Sequence, residues 1–510
     1  HKMQNGSDIR GSALKGVAGQ SVNLTPEIAK NIATAFGIWL ANKKRQPTPG
    51  LKIAVGHDSR LSAPELKGAI IQGLMKLGCN VSDCGLASTP AMFMTTVTQG
   101  YQCDGSIMIT ASHLPFNRNG MKFFIETGGL EKQDITEILT LAEQGGFSLP
   151  QNPGQVTKVD FMSVYADILV QKIRQAVNHP DNPSQPLRGF KIVVDAGNGA
   201  GGFFVDKVLK PLGAETNGSQ FLDPDGHFPN HIPNPEDPAA MAAICQAVIK
   251  SKADLGVIFD TDVDRASAVD NTGKEINRNR LIALISAIVL EEHPGSTIVT
   301  DSITSSGLKT FIEKNLGGVH HRFKRGYKNV INEAIRLNQA GGGAESYLAI
   351  ETSGHGALKE NYFLDDGAYL IAKLLIKMAQ MKLKDHQKIN SLIASLEEPL
   401  ESKEFRLNIS EKDFRPYGEN VIANFQSYVS QMPSWQVEPE NYEGVRVSFG
   451  KNDGNGWFLL RLSLHDPLMP LNIESNSAGG VKKIAAALLP LLQKYSQLDI
   501  TTLKTFLSNE

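Results

Sequence analysis

The sequence predicts an α/β protein built from three successive α/β domains with mixed sheets, followed by a smaller C-terminal α+β domain. Two observations lead to this prediction. Three short apolar strands, at residues 106–110, 255–259 and 347–350, each run directly into a polar loop. Continuous apolar runs of this length are typical of strands buried on both faces of a sheet. Helical segments separate these strands, and strands that alternate with helices form α/β layers.

Most of the predicted helices lie in the first three domains. One begins at Ser62, which we interpret as the N-cap of a capping box with Glu65, and continues to about Gly78. The others are expected near residues 201–212, 238–252, 279–291, 306–315, 327–337, 365–380 and 478–494. The last domain has a different pattern, with strands expected near 403–409, 444–449 and 456–464 before the final helix.

Composition changes along the chain suggest where the domains meet. A segment rich in proline and asparagine, residues 179–187, separates the first two domains, and a charged segment, residues 384–403, leads into the last one. We expect the domains to span residues 1–180, 181–272, 273–395 and 396–510. Ligands of open α/β sheets bind beyond the carboxyl ends of the strands. The three strand-to-loop junctions are therefore expected to face one central cleft.

The charge balance argues against a nucleic-acid or membrane partner. The chain has 51 Lys and Arg against 53 Asp and Glu, so it lacks the global positive field that such partners require. The longest apolar run, residues 281–290, is about half a membrane span. The four cysteines form no CxxC pair, and we expect reduced, mostly buried thiols.

The loop DTDVDRA places Asp260, Asp262 and Asp264 at alternate positions directly after a strand. Carboxylates two residues apart can turn inward around one hard cation, and oxygen ligands suit Mg²⁺ or Ca²⁺. An EF-hand also begins with alternating Asp residues, but its sixth and twelfth positions would fall on Arg265 and Asn271 here. The pattern therefore predicts a metal site at a strand end.

Two further loops carry polar residues at strand ends. In TASHLPFNRNG, Ser112 and His113 follow the first strand, and Lys122 begins the next one. A nucleophile elbow, G-x-S-x-G, is not present there, which argues against a Ser–His–Asp hydrolase. In ETSGHGA, Glu351, Ser353 and His355 combine a carboxylate, a hydroxyl and an imidazole, a set suited to reading sugar hydroxyls. Each loop alone is also compatible with ordinary turn residues.

The three loops in this order resemble the α-D-phosphohexomutase family. Its serine, metal and sugar loops usually read T-G/A-S-H-x-P, D-x-D-x-D-R and G-E-x-S-G-H, and this chain has TASHLP, DTDVDR and ETSGH. Other segments also resemble the family, and the resemblance covers essentially all of residues 6–480. These segments are GSDIRG (6–11), VGHDSRLSAPEL (55–66, with His57 where Arg is usual), DAGNGAGG (195–202) and PDGHFPNHIPNPEDP (224–238).

The resemblance implies a phosphotransferase of the isomerase class that interconverts hexose 1-phosphate and hexose 6-phosphate of glucose or mannose. It implies a phosphate on Ser112, a Mg²⁺ ion bound by that phosphoserine and the three aspartates, and a hexose 1,6-bisphosphate intermediate. Glucose 1,6-bisphosphate would then serve as activator. The catalytic residues that it implies are Ser112, His113, Lys122, Arg10 and His355, with His355 and Lys122 as proton carriers.

The same resemblance assigns residues to substrate binding: Arg265, Lys324, Glu351, Ser353, Arg461 and Ser463. The family's last-domain phosphate loop, R-x-S-G/N-T-x-P, corresponds to Arg461-Leu-Ser463-Leu-His-Asp466-Pro467, so its central part has changed. The changed loop resembles the corresponding loop of a plant and algal branch of the family. A carboxylate facing a phosphate is unfavourable, so we expect Asp466 to turn away and orient His465 or Arg461.

Two alternatives to mutase activity arise from the altered loop. The chain could bind sugar phosphates as a regulatory protein without turnover, or it could release phosphate from Ser112 to water as a phosphatase. Ser112, Lys122 and the three aspartates are all present, which favours the enzyme. We expect a soluble intracellular protein of the cytoplasm or the chloroplast stroma, a monomer or weak dimer. The preferred hexose does not follow from the sequence.

Overall fold

A computed structural model describes residues 1–509. The chain divides into two compact units, one formed by residues 1–281 and 353–391, the other by residues 282–352 and the chain from residue 392 onward. Four β-sheet regions follow one another along the sequence, three of them in α/β arrangements and the last antiparallel. The predicted fold class, with mixed sheets and a separate last domain, is confirmed.

The first sheet has eight strands: β1 (Gln4–Asn5), β2 (Asp8–Ser12), β3 (Lys52–His57), β4 (Asn80–Leu86), β5 (Gly105–Ile109), β6 (Arg118–Ile125), β7 (Gly128–Gly129) and β8 (Val156–Lys158). Their order is β1-β2-β6-β5-β3-β4-β8, with β7 beside β6. The helices are α1 (Pro26–Lys44), α2 (Ala63–Lys76), α3 (Thr89–Met94), α4 (Lys132–Gln144) and α5 (Phe161–Val177). Because β3 and β5 are parallel neighbours, with His57 opposite Ile109, the loops that follow them leave the same edge of the sheet.

The second sheet has the order β12-β11-β10-β9. Its strands are β9 (Ile192–Asp195), β10 (Leu255–Phe259), β11 (Ala266–Asp270) and β12 (Glu275–Ile276), and a π-helical turn (Phe204–Leu209) and α6 (Pro238–Ser251) lie between β9 and β10. β9 and β10 are parallel, whereas β10 and β11 form an antiparallel hairpin. The turn of this hairpin is the aspartate loop.

A third α/β region follows. Its elements are α7 (Arg278–Glu292), β13 (Thr297–Thr300), α8 (Ser306–Thr310) with a π-helical turn (Phe311–Asn315), β14 (Val319–Arg322), α9 (Tyr327–Ala340) and β15 (Ser346–Ile350). β13 pairs in parallel with both β14 and β15. In the first unit, β16 (Gly356–Leu358) and β17 (Leu364–Asp365) then form a short antiparallel pair before α10 (Gly367–Lys384).

The last region is an antiparallel sheet of five strands in the order β18-β22-β21-β20-β19. Its elements are β18 (Glu401–Asn408), α11 (Phe414–Val429), β19 (Gln436–Val437), β20 (Val445–Ser448), β21 (Gly456–Leu460), β22 (Leu468–Ser475), α12 (Gly480–Leu492) and α13 (Thr501–Ser508). Alternate strand residues and one face of each helix form its apolar core.

The structure corrects two local predictions. Ser62 makes no capping hydrogen bond to α2; its hydroxyl instead accepts a 2.8 Å bond from Nδ2 of Asn119. The strand expected at 456–464 ends at Leu460, so Arg461 and Ser463 lie in the loop that follows. The four cysteines are free thiols, and three are buried, as expected. Within residues 1–509, no helix combines the length and the apolar character that crossing a bilayer requires.

Candidate active site

Ser112 lies in the loop after β5 and has a positive φ of 51°. A side chain in this left-handed region is strained, so the conformation must be stabilised by neighbouring contacts. The backbone amide of Ser112 donates to Oγ1 of Thr110 at 2.9 Å. Its hydroxyl is half-buried and lies 3.4 Å from both Nδ1 of His113 and Oδ2 of Asp260. The structure therefore brings the predicted nucleophile to the predicted metal loop.

The three aspartates of the hairpin turn between β10 and β11 are buried, with Asp260 and Asp262 fully inaccessible and Asp264 2% exposed. One carboxylate oxygen from each lies within 4.8 Å of the other two. Asp262 Oδ1 and Asp264 Oδ1 make no hydrogen bond in the part of the chain that the structure describes. Buried carboxylate oxygens without a donor are costly, and a hard divalent cation compensates such oxygens. The donor set therefore fits a divalent metal ion.

Each of these carboxylates has a pKa that differs from its ordinary value. Burial and the neighbouring carboxylates of Asp264 and Asp262 raise the pKa of Asp260 well above its usual range. Burial and Asp264 also raise the pKa of Asp262 to about 6. Burial acts in the same direction on Asp264, but Lys122 and His355 outweigh it and hold that pKa well below its usual range. A bound cation would relieve the repulsion between the three groups.

Arg265 is a buried cation that connects this loop to its surroundings. Its Nε donates to Asp260 Oδ2 at 3.0 Å, and its Nη2 donates to Nδ1 of His113 at 2.8 Å. Its Nη1 donates to the side-chain oxygen of Asn234 at 3.2 Å and lies 3.6 Å from Glu236. A guanidinium can only donate, so Nδ1 of His113 accepts, and the neutral ring carries its proton on Nε2.

His113 is a neutral ring in this environment. Burial, together with the positive charges of Arg265 and Arg10, lowers its pKa to about 3. It therefore acts as a hydrogen-bonding group rather than as a cation above that pH. This charge state could not be inferred from the sequence.

Two more cations of the site, Lys122 and Arg10, both contact Asp8. Lys122, on β6, is 6% exposed, and its Nζ lies 3.6 Å from Asp264 Oδ2 and 3.3 Å from Asp8 Oδ2. Arg10, on β2, donates from Nη1 to the carbonyl of Thr110 at 2.8 Å and pairs with Asp8 at 3.3 Å. Asp8 thus joins two cations that the family resemblance implies to be catalytic.

His355 approaches the same aspartate from another loop. Its Nε2 lies 3.6 Å from Asp264 Oδ2 and 3.8 Å from Asp365 Oδ2, while its Nδ1 is 2.9 Å from the hydroxyl of Ser353. Burial favours the neutral ring, but the two carboxylates outweigh it, and the pKa of His355 is raised. A β-bridge between Arg265 and His355 fixes the two loops against each other.

The remaining predicted residues belong to the second unit. Glu351 is buried and accepts a 2.6 Å hydrogen bond from the amide of Gly326, at the end of the loop that carries the exposed Lys324. Arg461 is 7% exposed and donates to Glu443 at 3.3 Å. The hydroxyl of Ser463 accepts from the amide of Asp466 at 3.3 Å.

The expected role of Asp466 is wrong. Its carboxylate makes no hydrogen bond or ion pair to His465, Arg461 or any other residue in 1–509, and the partner that orients Arg461 is Glu443. The reason is geometric. Asp466 is exposed at the tip of its loop, whereas Glu443 lies just before β20, beside the start of the loop.

Several residues that support the site do not stand out in the sequence. Thr89, the first residue of α3, donates from its hydroxyl to Asp262 Oδ2 at 2.5 Å, and its amide donates to the carbonyl of Asp262. Asp58 and Arg60, from the loop after β3, contact the serine loop. The D-x-R pattern at 58–60 was the available signal for this pair. For Thr89 and Glu443 no local pattern exists.

Comparisons with known proteins identify the family of the chain. Three family profiles, described as phosphoglucomutase/phosphomannomutase alpha/beta/alpha domains I, II and III, match residues 1–148, 165–273 and 277–398. A phosphomannomutase/phosphoglucomutase of Pseudomonas putida is 31% identical over 480 residues, with 94% of each chain covered. The chain belongs to the phosphoglucomutase/phosphomannomutase family.

Other members of the family span nearly the whole chain. A protein named phosphomannomutase from Escherichia coli is 30% identical, with 91% of this chain and 94% of that protein covered. The crystal structure of a phosphoglucomutase/phosphomannomutase family protein from Burkholderia thailandensis superposes with a TM-score of 0.76 at 27% identity, covering 96% of both chains. A Thermus thermophilus structure at 19% identity, with a TM-score of 0.69 and coverage of 97% and 99%, shares the fold.

Proposed function

We propose that this chain is a phosphohexomutase that interconverts hexose 1-phosphate and hexose 6-phosphate through a phosphorylated Ser112. The observation that carries the proposal is the 3.4 Å distance between Ser112 Oγ and Asp260 Oδ2, at a buried triad of carboxylates surrounded by cations. The relatives include proteins named for both sugars, so glucose and mannose are the proposed substrates. Their names do not favour the binding-only or phosphatase alternatives.

The proposed reaction consists of two phosphoryl transfers, the first from Ser112 to the sugar and the second from the sugar back to Ser112. The free hydroxyl of the hexose phosphate attacks the phosphorus of phosphoserine 112, the bond between that phosphorus and Ser112 Oγ breaks, and the hydroxyl proton leaves to a base. The resulting hexose 1,6-bisphosphate then reorients in the site, so that its other phosphate faces Ser112. Ser112 Oγ then takes the other phosphoryl group, and the bond to the sugar oxygen breaks. Free glucose 1,6-bisphosphate would phosphorylate an unphosphorylated Ser112 by this second step.

The surrounding residues suit these steps. A Mg²⁺ ion bound by Asp260, Asp262, Asp264 and an oxygen of the phosphate would supply positive charge at the phosphoryl group. Lys122 lies beside Asp264, and Arg10 donates to the carbonyl of Thr110, two residues before Ser112. Both cations are suited to a phosphate on Ser112, which would bring two further negative charges. Arg265 holds Asp260 and His113 in place.

His355 and Lys122 are the proposed proton carriers. Both approach Oδ2 of Asp264 at 3.6 Å, so both lie at the edge of the same carboxylate. The raised pKa of His355, due to Asp365 and Asp264 acting against burial, favours its protonated form. This form suits donation of a proton to a leaving oxygen. Arg265, Lys324, Glu351, Ser353, Arg461 and Ser463 are proposed to bind the sugar phosphate.

The test is a coupled assay with glucose 1-phosphate, mannose 1-phosphate and glucosamine 1-phosphate, each with and without added bisphosphate. We expect hexose 6-phosphate to form from the first two sugars, with bisphosphate shortening any lag. Release of inorganic phosphate without hexose 6-phosphate would identify a phosphatase. Binding of the sugar phosphates without either product would identify a binding protein, and both results would overturn the proposal.

Three finer expectations are also proposals. The proposed boundaries between the four domains lie at residues 180/181, 272/273 and 395/396. The protein is a monomer or weak dimer, which size-exclusion chromatography with light scattering would test. It works in the cytoplasm or the chloroplast stroma, which imaging of a tagged chain would test.

A further inference from the structure

Arg60 is one of the most deeply buried charged residues of the chain. It lies in the short loop between β3 and α2 and is 1% exposed. Burial, with the nearby charges of Arg10 and Arg118, lowers its pKa to about 10 against the effect of Asp58. It is therefore still a cation at neutral pH. A buried cation is unfavourable unless its donors are satisfied, so its partners indicate what it stabilises.

The partners of Arg60 are almost all backbone carbonyls of the serine loop. Its Nη1 donates to the carbonyls of Pro115 at 2.9 Å and Arg118 at 3.0 Å. Its Nη2 donates to the carbonyl of Leu114 at 2.7 Å and to the carbonyl of Ser112 itself. One planar guanidinium thus donates hydrogen bonds to four carbonyl oxygens. Without this cation, the four oxygens would repel one another and would also repel a bound phosphate.

The carboxylate of Asp58 is linked to the backbone on both sides of Ser112, through Arg60 on one side and Thr110 on the other. Its Oδ2 lies 3.5 Å from Nε of Arg60, which holds the Ser112 carbonyl. The same oxygen accepts a 2.6 Å hydrogen bond from the hydroxyl of Thr110, which in turn accepts the amide of Ser112 at 2.9 Å. The two peptide groups that flank the Ser112 side chain are therefore fixed through one anchor.

A second loop covers this arrangement within the same unit. The ring of Phe228 lies 5.3 Å from the guanidinium carbon of Arg60, a distance at which a cation–π interaction stabilises the charge. Gly226 is so close that a Cβ there would lie 2.6 Å from the carbonyl oxygen of Ser59 and 2.5 Å from the amide of Leu61. The Arg60 loop is thus enclosed and cannot easily relax.

We propose that Asp58, Arg60 and Thr110 are positioning residues that hold Ser112 in its left-handed conformation and so direct Oγ towards Asp260. The inference rests on the proposed phosphoryl transfer at Ser112. The positive φ of Ser112 is unfavourable for a side chain, and the paired bonds to its amide and its carbonyl offset that cost. None of the three residues touches the reacting phosphorus; they act through the backbone of Ser112.

Arg60→Lys is the main test, because an ammonium group cannot reach four carbonyls in the plane of a guanidinium. Loss of alignment at Ser112 should lower kcat about 10²-fold with KM for glucose 1-phosphate within about twofold of wild type. Phosphorylation of Ser112 by glucose 1,6-bisphosphate in a single turnover, followed by intact mass, should slow by a similar factor. A purely structural role would lower the melting temperature without slowing this step in the folded fraction.

Arg174→Lys is the matched control. Arg174 also donates from its guanidinium to two backbone carbonyls, those of Ser184 at 2.8 Å and Pro211 at 3.2 Å, in the same unit but without contact to the serine loop. This variant should keep wild-type kcat. Equal losses of kcat in both variants would overturn the inference, because the effect would then come from general destabilisation.

A second pair of variants decides the question if Arg60→Lys does not fold. Thr110→Val removes the hydroxyl that holds the Ser112 amide, whereas Thr110→Ser keeps it. We expect kcat to fall at least about tenfold in Thr110→Val and to stay within about threefold in Thr110→Ser. Wild-type kcat in Thr110→Val, or equal losses in both, would overturn the inference.

Amide hydrogen exchange over residues 110–120 separates this inference from the proposed function. Exchange there should be faster in Thr110→Val and Arg60→Lys than in wild type, whether or not the wild type has mutase activity. Unchanged exchange would refute the positioning role even for an active mutase. A wild type without mutase activity, but with faster exchange in the variants, would refute the function and leave the backbone role in place.

Discussion

Glu443 accepts a 3.3 Å hydrogen bond from Nη1 of Arg461. The same carboxylate accepts a 2.6 Å bond from the amide of Arg325, in the loop that carries Lys324. Two loops far apart in sequence, each proposed to bind substrate, are thus tied by one side chain in the second unit. Since burial lowers the pKa of Arg461 against the effect of Glu443, this carboxylate is the group that stabilises the buried charge.

Arg461→Ala should weaken binding of the hexose phosphate. One charge-assisted contact to phosphate contributes roughly 1.5–3 kcal/mol, so KM should rise about 10- to 150-fold with a smaller change in kcat. Glu443→Gln should raise KM less, because the amide oxygen can still accept from the Arg325 backbone. Steady-state kinetics with glucose 1-phosphate measure both. An unchanged KM in Arg461→Ala would mean that this loop does not bind substrate.

Asp466→Thr serves as the comparison within the same loop. Because Asp466 is exposed and its carboxylate makes no hydrogen bond or ion pair within residues 1–509, removing it should leave the orientation of Arg461 intact. KM should stay the same or fall, since a negative charge near a phosphate is lost. A rise in KM comparable with that of Arg461→Ala would show that Asp466 orients the arginine after all.

The sequence revealed the parts of the site that are contiguous in the chain. Ser112 and the three aspartates stand directly after buried strands, and this pattern is local. The contacts that shape the site are not local. Arg60 reaches carbonyls 52 to 58 residues away, and Glu443 bonds an amide 118 residues away. No periodicity or spacing encodes such distances.

The wrong prediction at Ser62 has a physical cause in the tertiary structure. Ser62 and Glu65 have the letters of a capping box, but the Ser62 hydroxyl bonds Asn119, 57 residues later, in the packed interior. Tertiary contact overrides the local preference there. The charge state of His113 could not be predicted from the sequence either, because its low pKa depends on burial and on Arg265, 152 residues away.

Ser112→Ala should abolish mutase turnover. No other group can accept the phosphoryl group at the position facing Asp260, so kcat should fall at least about 10³-fold. Freshly purified wild type should carry phosphate on Ser112, at least in part, as intact-mass and peptide analysis would show. Ser427→Ala, at an exposed serine on α11, is the matched control and should keep both the activity and the phosphate on Ser112. Near-normal turnover in Ser112→Ala would exclude the phosphoserine mechanism.

Asp262→Asn should change metal binding and metal-free stability in opposite directions. In the metal-free protein three buried carboxylates repel one another, and burial with Asp264 raises the pKa of Asp262 to about 6. Neutralising it should therefore raise the metal-free melting temperature at pH 8. Added Mg²⁺ should raise the melting temperature of wild type strongly and that of the variant little.

The control for this pair of measurements is Asp453→Asn, an exposed carboxylate in the last domain. It should change neither the metal-free melting temperature nor the response to Mg²⁺. Full mutase activity of wild type after treatment with EDTA would contradict a catalytic role of the metal. An equal response of Asp262→Asn and wild type to Mg²⁺ would show that the ion binds elsewhere.

Asp366 should make the stability of helix α10 depend on pH. It caps this helix by accepting the amide of Tyr369 at 3.0 Å, and it accepts the hydroxyl of Tyr165 at 2.6 Å. Burial outweighs these bonds and raises its pKa from 3.8 to about 6. The folded state therefore holds a proton between about pH 4 and pH 6 that the unfolded state has lost, and stability falls as pH rises through this window.

The size of the effect follows from the shift of roughly two pKa units, which corresponds to about 3 kcal/mol. Asp366→Asn does not titrate, and its amide oxygen can still accept the Tyr369 amide. Between pH 4.5 and pH 8, which covers about 1.5 of these units, its opening free energy relative to wild type should therefore rise by about 2 kcal/mol. Hydrogen exchange of the α10 amides, corrected for the intrinsic rates, measures this local free energy.

Asp385→Asn, at the exposed end of the same helix, should show no such trend. A difference between Asp366→Asn and wild type that is the same at both pH values would mean that Asp366 is ionised throughout, and that its hydrogen bonds outweigh the cost of burial.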